Sequence, residues 1–340
     1  MTTSADRPLQ IGILGAAKIA RLFVDAVRPS TKVRVRAVAS RDVAKAQSFA
    51  TELGIPEVHA TYDALLADPA VDAIYNPLPN TLHAEWSIRA VEAGKHVLCE
   101  KPLAISAREA EAMFAAARRH DVFLVEGYPY RAQPQTLKLR ELLANGVIGR
   151  LQVMHASFGF LLADAANIRY NPELGGGALM DAGSYPVSLV RMIAGERPKR
   201  VQSMARWAES GVDRTMVGSI EFPSGLLAQI SCSFGTARHR RAVLVGDAGT
   251  ITTTYYNDTS AAFPPTVEIR RGTGWDAEVQ NIETAAINGF LAEAEAFREL
   301  VVHGWGRWIG TSPEESVDTM RMLEALAVSA RTGGAVDLAA

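Results

Sequence analysis

The sequence predicts an α/β fold in which a doubly wound parallel sheet is followed by an α+β domain with an open, mostly antiparallel sheet. Apolar strand-like runs alternate with helical patterns as far as residue 126, which is typical of a parallel sheet covered by helices. From residue 151 to 256, strand-like runs follow one another without helices between them. The 340 residues suffice for two domains. We expect them to span residues 1–126 and 127–340, with the last helix able to pack back on the first domain.

The composition narrows the class of protein. Hydrophobic residues make up 48% of the chain and the net charge is −2, which is ordinary for a globular protein and gives no general attraction to nucleic acid or anionic membranes. The two cysteines, Cys99 and Cys232, are too few for a disulfide framework and lack metal-ligand spacing. The N-terminus is polar and no apolar run reaches about 18 residues. We therefore expect a cytoplasmic protein with neither nucleic-acid nor membrane partners.

The first recognisable unit is a strand, a tight turn and a helix. Residues 9–14 form a short apolar run, Gly15 follows, and an apolar helical pattern starts at Ile19. This is the context of a dinucleotide-binding turn, although Ala17 and Ala20 occupy the second and third glycine positions. Small residues still allow a pyrophosphate to approach the helix N-terminus, where N–H groups and the helix dipole favour anions. We therefore predict a Rossmann domain whose first turn binds a dinucleotide through Gly15, Ala16, Ala17, Lys18 and Ile19.

The end of the second predicted strand indicates the type of cofactor. Residues 32–39 stop at Ser40 and Arg41, where an NAD-binding domain would place an acidic side chain on the ribose hydroxyls. A hydroxyl and a guanidinium suit a 2′-phosphate instead, which favours NADP over NAD. Asp42 lies one position later and is predicted to cap the helix that runs to Leu53. The alternative is that Arg41 is a solvated surface side chain.

Two further strands are predicted to end at the same edge of the sheet. Residues 71–75 lead into the proline-containing turn 76–80, and residues 96–99 lead into Glu100 and Lys101. Ligands bind at the carboxyl ends of the strands in such sheets. Lys101 is therefore a candidate functional cation, and the alternative is a structural ion pair with Glu100. His83 is also a candidate, and the alternative for it is a role in packing or helix capping. The candidates for cofactor contact in this region are Asn76, Pro77, Leu78, Asn80, His83, Glu100 and Lys101.

A linker and a different pattern follow. Residues 126–135, EGYPYRAQPQ, contribute Tyr128 as a candidate for substrate binding and Arg131 for cofactor binding. The tight connection at residues 222–225 indicates a hairpin. An antiparallel sheet with one face on helices leaves the other face for a homodimer or homotetramer contact. Strands are predicted over residues 151–160, 201–206, 216–222, 226–234, 242–245 and 251–256, and late helices over 287–303 and 313–332.

The motif GGGALMDAGSY at residues 175–185 lies near the start of the second domain. Three consecutive glycines allow backbone to approach a ligand closely, so we interpret them as room for a nicotinamide or a substrate. If the segment is helical, Asp181 and Tyr185 lie on one face about one turn apart. This pair is either an acid–base site or a buried tyrosine hydrogen-bonded to an aspartate.

Pro186 decides where that helix begins. Proline fits the first turn of a helix but removes a hydrogen bond from a helix interior. Either the helix begins near Ser184, or it begins at Ala178 and is kinked. Only the second possibility gives Asp181 and Tyr185 a common face.

With these parts in place, the chain resembles the Gfo/Idh/MocA family of nicotinamide-dependent oxidoreductases over nearly its whole length. The resemblance is carried by GILGAAKIA at 12–20, NPLPNTLHAEW at 76–86, AGKHVLCEKPL at 93–103 and GGGALMDAGSYPVSLV at 175–190. It implies an oligomer formed through the C-terminal sheet, no metal, and Lys101 as the catalytic lysine. Many members have a histidine where this chain has Tyr185. With a tyrosine at this position, the chain resembles the branch of the family that contains dihydrodiol dehydrogenases, NADP-dependent D-xylose 1-dehydrogenases, glucose–fructose oxidoreductase and sugar ketoreductases.

The resemblance also implies a reaction, in which hydride passes between nicotinamide and a carbinol carbon of a sugar or polyol while Tyr185 exchanges the proton. An isolated tyrosine has a pKa of about 10, so at neutral pH a nearby ammonium must favour the phenolate, and Lys101 is the predicted source. Asp181 is assigned to the catalytic group with its role open. The substrate-binding candidates are Lys101, Tyr128, Arg169, Asp181 and Tyr185.

The expected activity is NADP-dependent oxidation of an aldose such as D-xylose at C1. Reduction of a keto-sugar and oxidation of a trans-dihydrodiol are alternatives within the same class. A non-enzymatic regulator that senses NAD(P) or a sugar is an alternative from a different class. The presence of both Lys101 and Tyr185 argues against a sensor, because a sensor needs no proton chemistry.

Overall fold

A computed structural model of the protein describes residues 7–260 and 262–338. Contacts between Cα atoms divide it into two compact units. The first comprises the described residues up to Ala104, with Arg108–Ala132 and Asn288–Pro313. The second comprises Ile105–Ala107, Gln133–Ile287 and the described residues from Glu314 onwards. These units differ from the division expected at residues 126 and 127, since residues 127–132 and the late segment 288–313 belong to the first unit. The last helix belongs to the second unit, as that division expected.

Six parallel strands form the sheet of the first unit. They are β1 (Leu9–Leu14), β2 (Val33–Ala39), β3 (Glu57–His59), β4 (Ala73–Asn76), β5 (His96–Glu100) and β6 (Leu124–Gly127). Their order across the sheet is β3-β2-β1-β4-β5-β6, with every neighbouring pair parallel. The predicted doubly wound parallel sheet is therefore confirmed, and the carboxyl ends of its strands share one edge.

Helices connect and cover the strands. Those of the first unit are α1 (Lys18–Val27), α2 (Val43–Leu53), α3 (Tyr62–Leu66), α4 (His83–Glu92), α5 (Ala107–Arg119) and α8 (Gly289–His303). Those of the second are α6 (Pro134–Ala144), α7 (Ser184–Ala194) and α9 (Pro313–Thr332). In the part of the chain that the structure describes, no helix has the length and apolarity needed to cross a membrane. The short elements β3 and α3 were not predicted, because three and five residues are too few to show a period.

The core of the first unit explains why the late segment belongs to it. Leu9, Ile11 and Ile13 of β1 are fully buried, as expected for a strand covered on both faces. Phe297 and Leu300 of α8 lie in the same core cluster and are also fully buried. Helix α8 therefore completes the apolar cover of the first sheet, although it lies far away in the sequence.

Nine strands form one mixed sheet in the second unit. They are β7 (Leu151–Leu161), β8 (Arg200–Trp207), β9 (Asp213–Glu221), β10 (Leu227–Ser233), β11 (Gly235–Gly246), β12 (Gly249–Thr254), β13 (Thr266–Arg271), β14 (Glu278–Glu283) and β15 (Val336–Asp337). Their order is β14-β13-β12-β11-β7-β10-β9-β8-β15. Among the described pairs, β7 with β10 is parallel and the others are antiparallel. This confirms the predicted open, mostly antiparallel sheet.

Strand β11 is much longer than the predicted strand at residues 242–245. Its first half contains the segment Arg238-His239-Arg240-Arg241, and this charged run hides the apolar alternation that marks a strand. Hydrogen bonding to β7 on one side and β12 on the other stabilises the strand. Strands β13 and β14 were not predicted, and β14 shows no apolar alternation because it is exposed and polar along most of its length.

The second sheet has one covered face and one open face. Ile220 and Ile230 point to the covered face and are almost fully buried, and the Oγ of Ser203 donates to the carbonyl of Leu326 in α9 (2.6 Å). On the open face, the side chain of Met204 is 72% exposed. This division agrees with the alternation of apolar and polar residues along antiparallel strands.

Candidate active site

Gly15 forms the turn that follows β1. Its φ is +84°, and its N–H donates to the carbonyl of Ala39 (2.6 Å). A Cβ here would lie 3.2 Å from Cδ2 of Leu78, so both conformation and space favour glycine. Ala17 is the N-cap of α1 and makes no side-chain capping bond, which leaves N–H groups of the first helical turn available to an anion such as a pyrophosphate. The other residues predicted for this turn are Ala16, Lys18 and Ile19.

The end of β2 presents a cation rather than an acid. Asp42 caps α2 as predicted, with its carboxylate accepting from the N–H of Lys45 (3.0 Å). The Oγ of Ser40 is buried and accepts from the N–H of Asp42 (3.3 Å). Arg41 is exposed, and its charge acts on the phenol of Tyr62. Because the carboxylate is engaged at the helix, this position suits a 2′-phosphate better than two ribose hydroxyls.

Tyr62 is a further residue of this region that the sequence did not reveal. Its hydroxyl lies 3.6 Å from the point that a Cβ on Gly15 would occupy, and its ring packs edge-on against Trp86 at 4.7 Å between centroids. Burial raises the pKa of the Tyr62 phenol, an effect that the charge of Arg41 opposes. The phenol therefore keeps its proton at neutral pH. It lies at the start of the short helix α3, which no local pattern predicted.

Asn76 shapes the turn that follows β4. Its amide nitrogen donates to the carbonyl of His83 (3.2 Å) and to the Oγ of Ser87 (3.0 Å), and its Oδ1 accepts from the N–H of Leu78 (3.3 Å). These bonds hold the turn against α4, and the side chain is fully buried. The remaining candidates from this turn are Pro77, which is buried, and Asn80, which is half-buried. Contact of these residues with a cofactor stays a prediction.

His83 links two turns at the carboxyl edge of the first sheet. Its Nδ1 lies 2.8 Å from the carbonyl oxygen of Pro102, and its Nε2 lies 2.7 Å from that of Leu78. The imidazole is almost fully buried. Burial lowers its pKa to about 4, while the two carbonyls act in the opposite direction and the charge of Lys101 lowers it further. A neutral imidazole donates to only one of these two carbonyls, and its burial between the two turns agrees with the packing role that the sequence left open.

Lys101 directly follows β5 and is half-buried. The carboxylate of the preceding Glu100 is buried and accepts from the hydroxyl of Tyr75 (2.6 Å). On the other side, the N–H of Leu103 donates to Oε1 of Glu126 (2.9 Å). Both flanks of Lys101 are thus anchored within the first unit, which holds its backbone at the carboxyl edge of the sheet.

The structure places the two candidates from the linker inside the first unit. Tyr128 is 1% exposed and packs edge-on against Tyr130. Arg131 is 3% exposed, and its Nη2 donates to the carbonyl of Gly310 (3.3 Å). The carboxyl of Glu293, which is hydrogen-bonded by the backbone of Tyr128, is itself buried. Its burial and the charge of Glu100 raise its pKa well above the usual range. These contacts give the linker a structural role, and its assignment to cofactor and substrate remains a prediction.

The protein's own packing accounts for two of the three glycines of the run, and the interpretation of the run as room for a ligand stays a prediction. A Cβ on Gly176 would lie 2.5 Å from the carbonyl oxygen of Arg169 and 2.7 Å from that of Asn171. Gly177 has a φ of +122°, and a Cβ there would lie 2.4 Å from Oδ1 of Asp213. The second and third positions of the motif therefore need glycine, because backbone carbonyls and a carboxylate of this same unit approach them.

The helix of the motif begins at Ala178, the second of the two possibilities. Residues Leu179–Gly183 form a π-helical turn that continues directly into α7. Proline lacks the N–H that an α-helix interior requires, and the wide turn before Pro186 accommodates this loss. The carboxylate of Asp181 on this turn binds the guanidinium of Arg169, with Oδ2 and Nε 2.7 Å apart. The structure thus brings together two predicted substrate-binding residues.

Tyr185 has a defined environment within the second unit. Its ring is 5% exposed and packs edge-on against Phe158, with 5.4 Å between ring centroids. Its hydroxyl oxygen accepts a hydrogen bond from Nδ2 of Asn257 (2.8 Å). The guanidinium of Arg240 lies over the ring, 3.8 Å from its centroid. The sequence did not reveal Arg240 or Asn257, because the pairing of β11 brings Arg240 to Tyr185 and the segment after β12 brings Asn257 there.

Fold and site together define an oxidoreductase built on a nucleotide-binding sheet. Residues 9–128 match the oxidoreductase family with an NAD-binding Rossmann fold, GFO/IDH/MocA. Residues 136–252 match the GFO/IDH/MocA C-terminal domain. The chain belongs to this family, as its sequence motifs predicted, and the family makes it an NAD(P)-dependent oxidoreductase.

Two named relatives and one solved structure show what the chain is similar to, and each covers more than two thirds of it. D-xylose 1-dehydrogenase (NADP(+)) 2 of Haloferax volcanii is 36% identical over 97% of this chain and 100% of its own. Trans-1,2-dihydrobenzene-1,2-diol dehydrogenase of Danio rerio is 37% identical over 72% of this chain and 73% of its own. The 3-ketoreductase KijD10 from Actinomadura kijaniata, solved with NADP and TDP-benzene, is 30% identical with a TM-score of 0.86. The match covers 95% of this chain and 98% of KijD10.

Proposed function

We propose that the protein is an NADP-dependent dehydrogenase of sugars or polyols, and that it oxidises an aldose such as D-xylose at C1 to the lactone. By their names, the relatives act on a pentose, a cyclic diol or a nucleotide-linked keto-sugar. Each of these substrates reacts at a carbinol or carbonyl carbon. Reduction of a keto-sugar and oxidation of a trans-dihydrodiol are the alternatives within this class.

NADP fits the residues of the first unit. Gly15 puts no side chain in the first turn, and α1 lacks a side-chain cap, so a pyrophosphate has a place at the helix N-terminus. Arg41 and the neutral phenol of Tyr62 lie together beyond β2, where they would hold a 2′-phosphate. When bound, NADP accepts or supplies the hydride at its nicotinamide.

The observation that carries the proposal is the fixed hydroxyl of Tyr185. Oxidation of a carbinol carbon releases a proton from the substrate oxygen, and a phenolate at Tyr185 would take it. The bond from Asn257 holds the phenol oxygen in one position (2.8 Å). Lys101 would donate a hydrogen bond to the reacting oxygen and favour the phenolate through its charge. Asp181, paired with Arg169, would position a substrate hydroxyl through that guanidinium.

An absorbance assay at the NADPH band tests the activity. Aldoses, polyols and dihydrodiols are compared as substrates, with NAD run in parallel. We expect NADP-dependent turnover with aldoses, lowered by two or more orders of magnitude in Tyr185→Phe while KM for the sugar changes little. Tyr170→Phe, which removes a hydroxyl bonded to the carbonyl of Leu162 (3.0 Å), serves as the matched control.

The outcomes separate the candidate functions. Turnover with keto-sugars and NADPH alone would favour the reductase, and turnover with dihydrodiols alone would favour the diol dehydrogenase. Absence of turnover with every substrate, despite tight binding of NADP and a sugar, would favour the non-enzymatic sensor. Full activity in Tyr185→Phe would refute the assigned proton transfer.

We also propose that the protein is a homodimer or homotetramer formed through the open face of the second sheet. Met204, Val217 and Leu227 on this sheet are 72%, 43% and 53% exposed, and a hollow of about 560 Å³ lies on the face. Light scattering measures the mass of the wild type and of Met204→Glu. A monomeric wild type would contradict the proposal, and dissociation by Met204→Glu would support it.

A further inference from the structure

Arg240 is a buried cation enclosed by aromatic rings. It lies on β11 and is 4% exposed. Its guanidinium carbon is 3.8 Å from the ring centroid of Tyr185, 4.9 Å from that of Phe158 and 4.8 Å from that of Tyr255. The face of an aromatic ring attracts a cation, and the attraction grows when the site is shielded from water. Of the three rings, that of Tyr185 is the nearest to the charge.

Asn257 joins the same arginine to the hydroxyl of Tyr185. The Nη1 of Arg240 donates to Oδ1 of Asn257 (3.2 Å), and Nδ2 of Asn257 donates to the Oη of Tyr185 (2.8 Å). Arginine has donors and no acceptor, so the amide must turn its oxygen toward Arg240 and its nitrogen toward the phenol. An amide nitrogen cannot accept a proton here, and the phenol's own proton therefore points away from Asn257.

Resting on the proposed function, we propose that Arg240 and Asn257 are positioning residues that make Tyr185 a proton acceptor near neutral pH. The guanidinium over the ring and the N–H at the oxygen both stabilise a phenolate. In oxidation, the proton leaves the substrate hydroxyl for the phenolate oxygen as the hydride leaves the carbon for NADP⁺. The two residues touch Tyr185 and act through it. They provide a second positive charge besides the one assigned to Lys101.

Other titratable groups around α7 include an ion-paired carboxylate, a buried thiol and a buried carboxyl. Asp181, on the turn before α7, is paired with Arg169 at 2.7 Å. Cys232 on β10 is buried, and burial raises the pKa of its thiol, so that it stays neutral. Burial raises the pKa of Asp213 at the start of β9 to about 6. Among these groups of the second unit, Arg240 is the cation in contact with the ring of Tyr185.

The test measures the ionisation of Tyr185 and the pH profile of turnover. Tyrosinate absorbance is titrated in the full-length protein, and subtraction of the Tyr185→Phe titration isolates this phenol. We expect Arg240→Met to move the midpoint upward by about one pH unit or more. The oxidative kcat at neutral pH would fall by about tenfold and recover at higher pH, with little change in KM. Arg240→Lys keeps the charge and would restore part of the shift.

Two further variants complete the design. Arg238 lies on β11, as Arg240 does, but it is exposed and stacks on Phe263. Arg238→Met would therefore leave the titration midpoint of Tyr185 unchanged. Asn257→Leu removes the N–H at the phenol oxygen and would also raise the midpoint, which keeps the test decisive if Arg240→Met does not fold. Unmoved midpoints in folded Arg240→Met, or in Asn257→Leu where Arg240→Met does not fold, would overturn the inference. Full turnover in Tyr185→Phe would instead overturn the proposed function.

Discussion

The carboxylate of Asp213 accepts a hydrogen bond from the backbone N–H of Leu179, with Oδ2 and N 2.7 Å apart. This bond joins the start of β9 to the first turn of the helical segment that carries Tyr185. The N–H groups at a helix start have no partner within the helix, so the side chain from a strand takes that role. Burial raises the pKa of Asp213 to about 6, although its backbone hydrogen bonds act in the opposite direction.

Asp213→Asn is expected to change how stability depends on pH. The folded pKa lies above the unfolded value, so the folded state binds the extra proton, and stability is lost as pH rises from about 4 to about 6. The slope would be about 1.4 kcal/mol per pH unit. Asparagine keeps an oxygen for Leu179 and does not titrate. Unfolding by urea across this range would show the variant gaining on the wild type as pH rises, and parallel curves would contradict the assignment.

His96 is expected to give the opposite dependence. Its Nδ1 accepts from the N–H of Phe123 (3.0 Å), a bond that only the unprotonated nitrogen can make. Burial lowers its pKa to about 4, so the unfolded state binds the extra proton and stability is lost as pH falls from about 6.5 toward 4. His96→Gln would flatten this loss in the same urea experiment. The exposed His120, changed to Gln, is the control, and equal slopes in both variants would argue against His96.

Arg41→Ala is expected to lower the affinity for NADP by about 10- to 100-fold, because a charge-assisted hydrogen bond to the 2′-phosphate is lost. The affinity for NAD would stay within about twofold of the wild type. Titration of both cofactors by calorimetry measures the difference. Arg36→Ala is the control, because Arg36 lies on the preceding strand β2 and pairs with Glu57 at 3.6 Å. An equal loss for the two cofactors would remove the 2′-phosphate assignment.

Lys101→Ala is expected to lower kcat by about 100- to 10,000-fold, as is usual for the loss of a group that assists proton transfer. NADPH binding, followed by its fluorescence, would stay within a few-fold of the wild type, because the phosphate-binding turn is untouched. The exposed Lys45, changed to Ala, provides the comparison. Retained turnover in Lys101→Ala would exclude the lysine from the chemistry.

Several parts of the candidate site could be predicted because local chemistry marks them. Gly15 follows an apolar run, and its positive φ agrees with the predicted turn. Asp42 caps α2 as its position before a helical pattern indicates. The glycine run shows the limit of this reasoning. Glycine marks a close approach, but the sequence does not say what approaches, and at Gly176 it is the carbonyl of Arg169.

The sequence by itself determined the alternation of strands and helices in the first part of the chain, the strand ends that Gly15, Arg41 and Lys101 follow, and the family. Those features depend on residues adjacent in the chain, whose periodicity and turn chemistry are local. Only the tertiary structure decided the surroundings of Tyr185. Asn257 lies 72 positions away, and the pairing of β11 with β7 and β12 brings Arg240 to the ring. Contacts of this kind follow from strand register and packing, which no short segment of sequence contains.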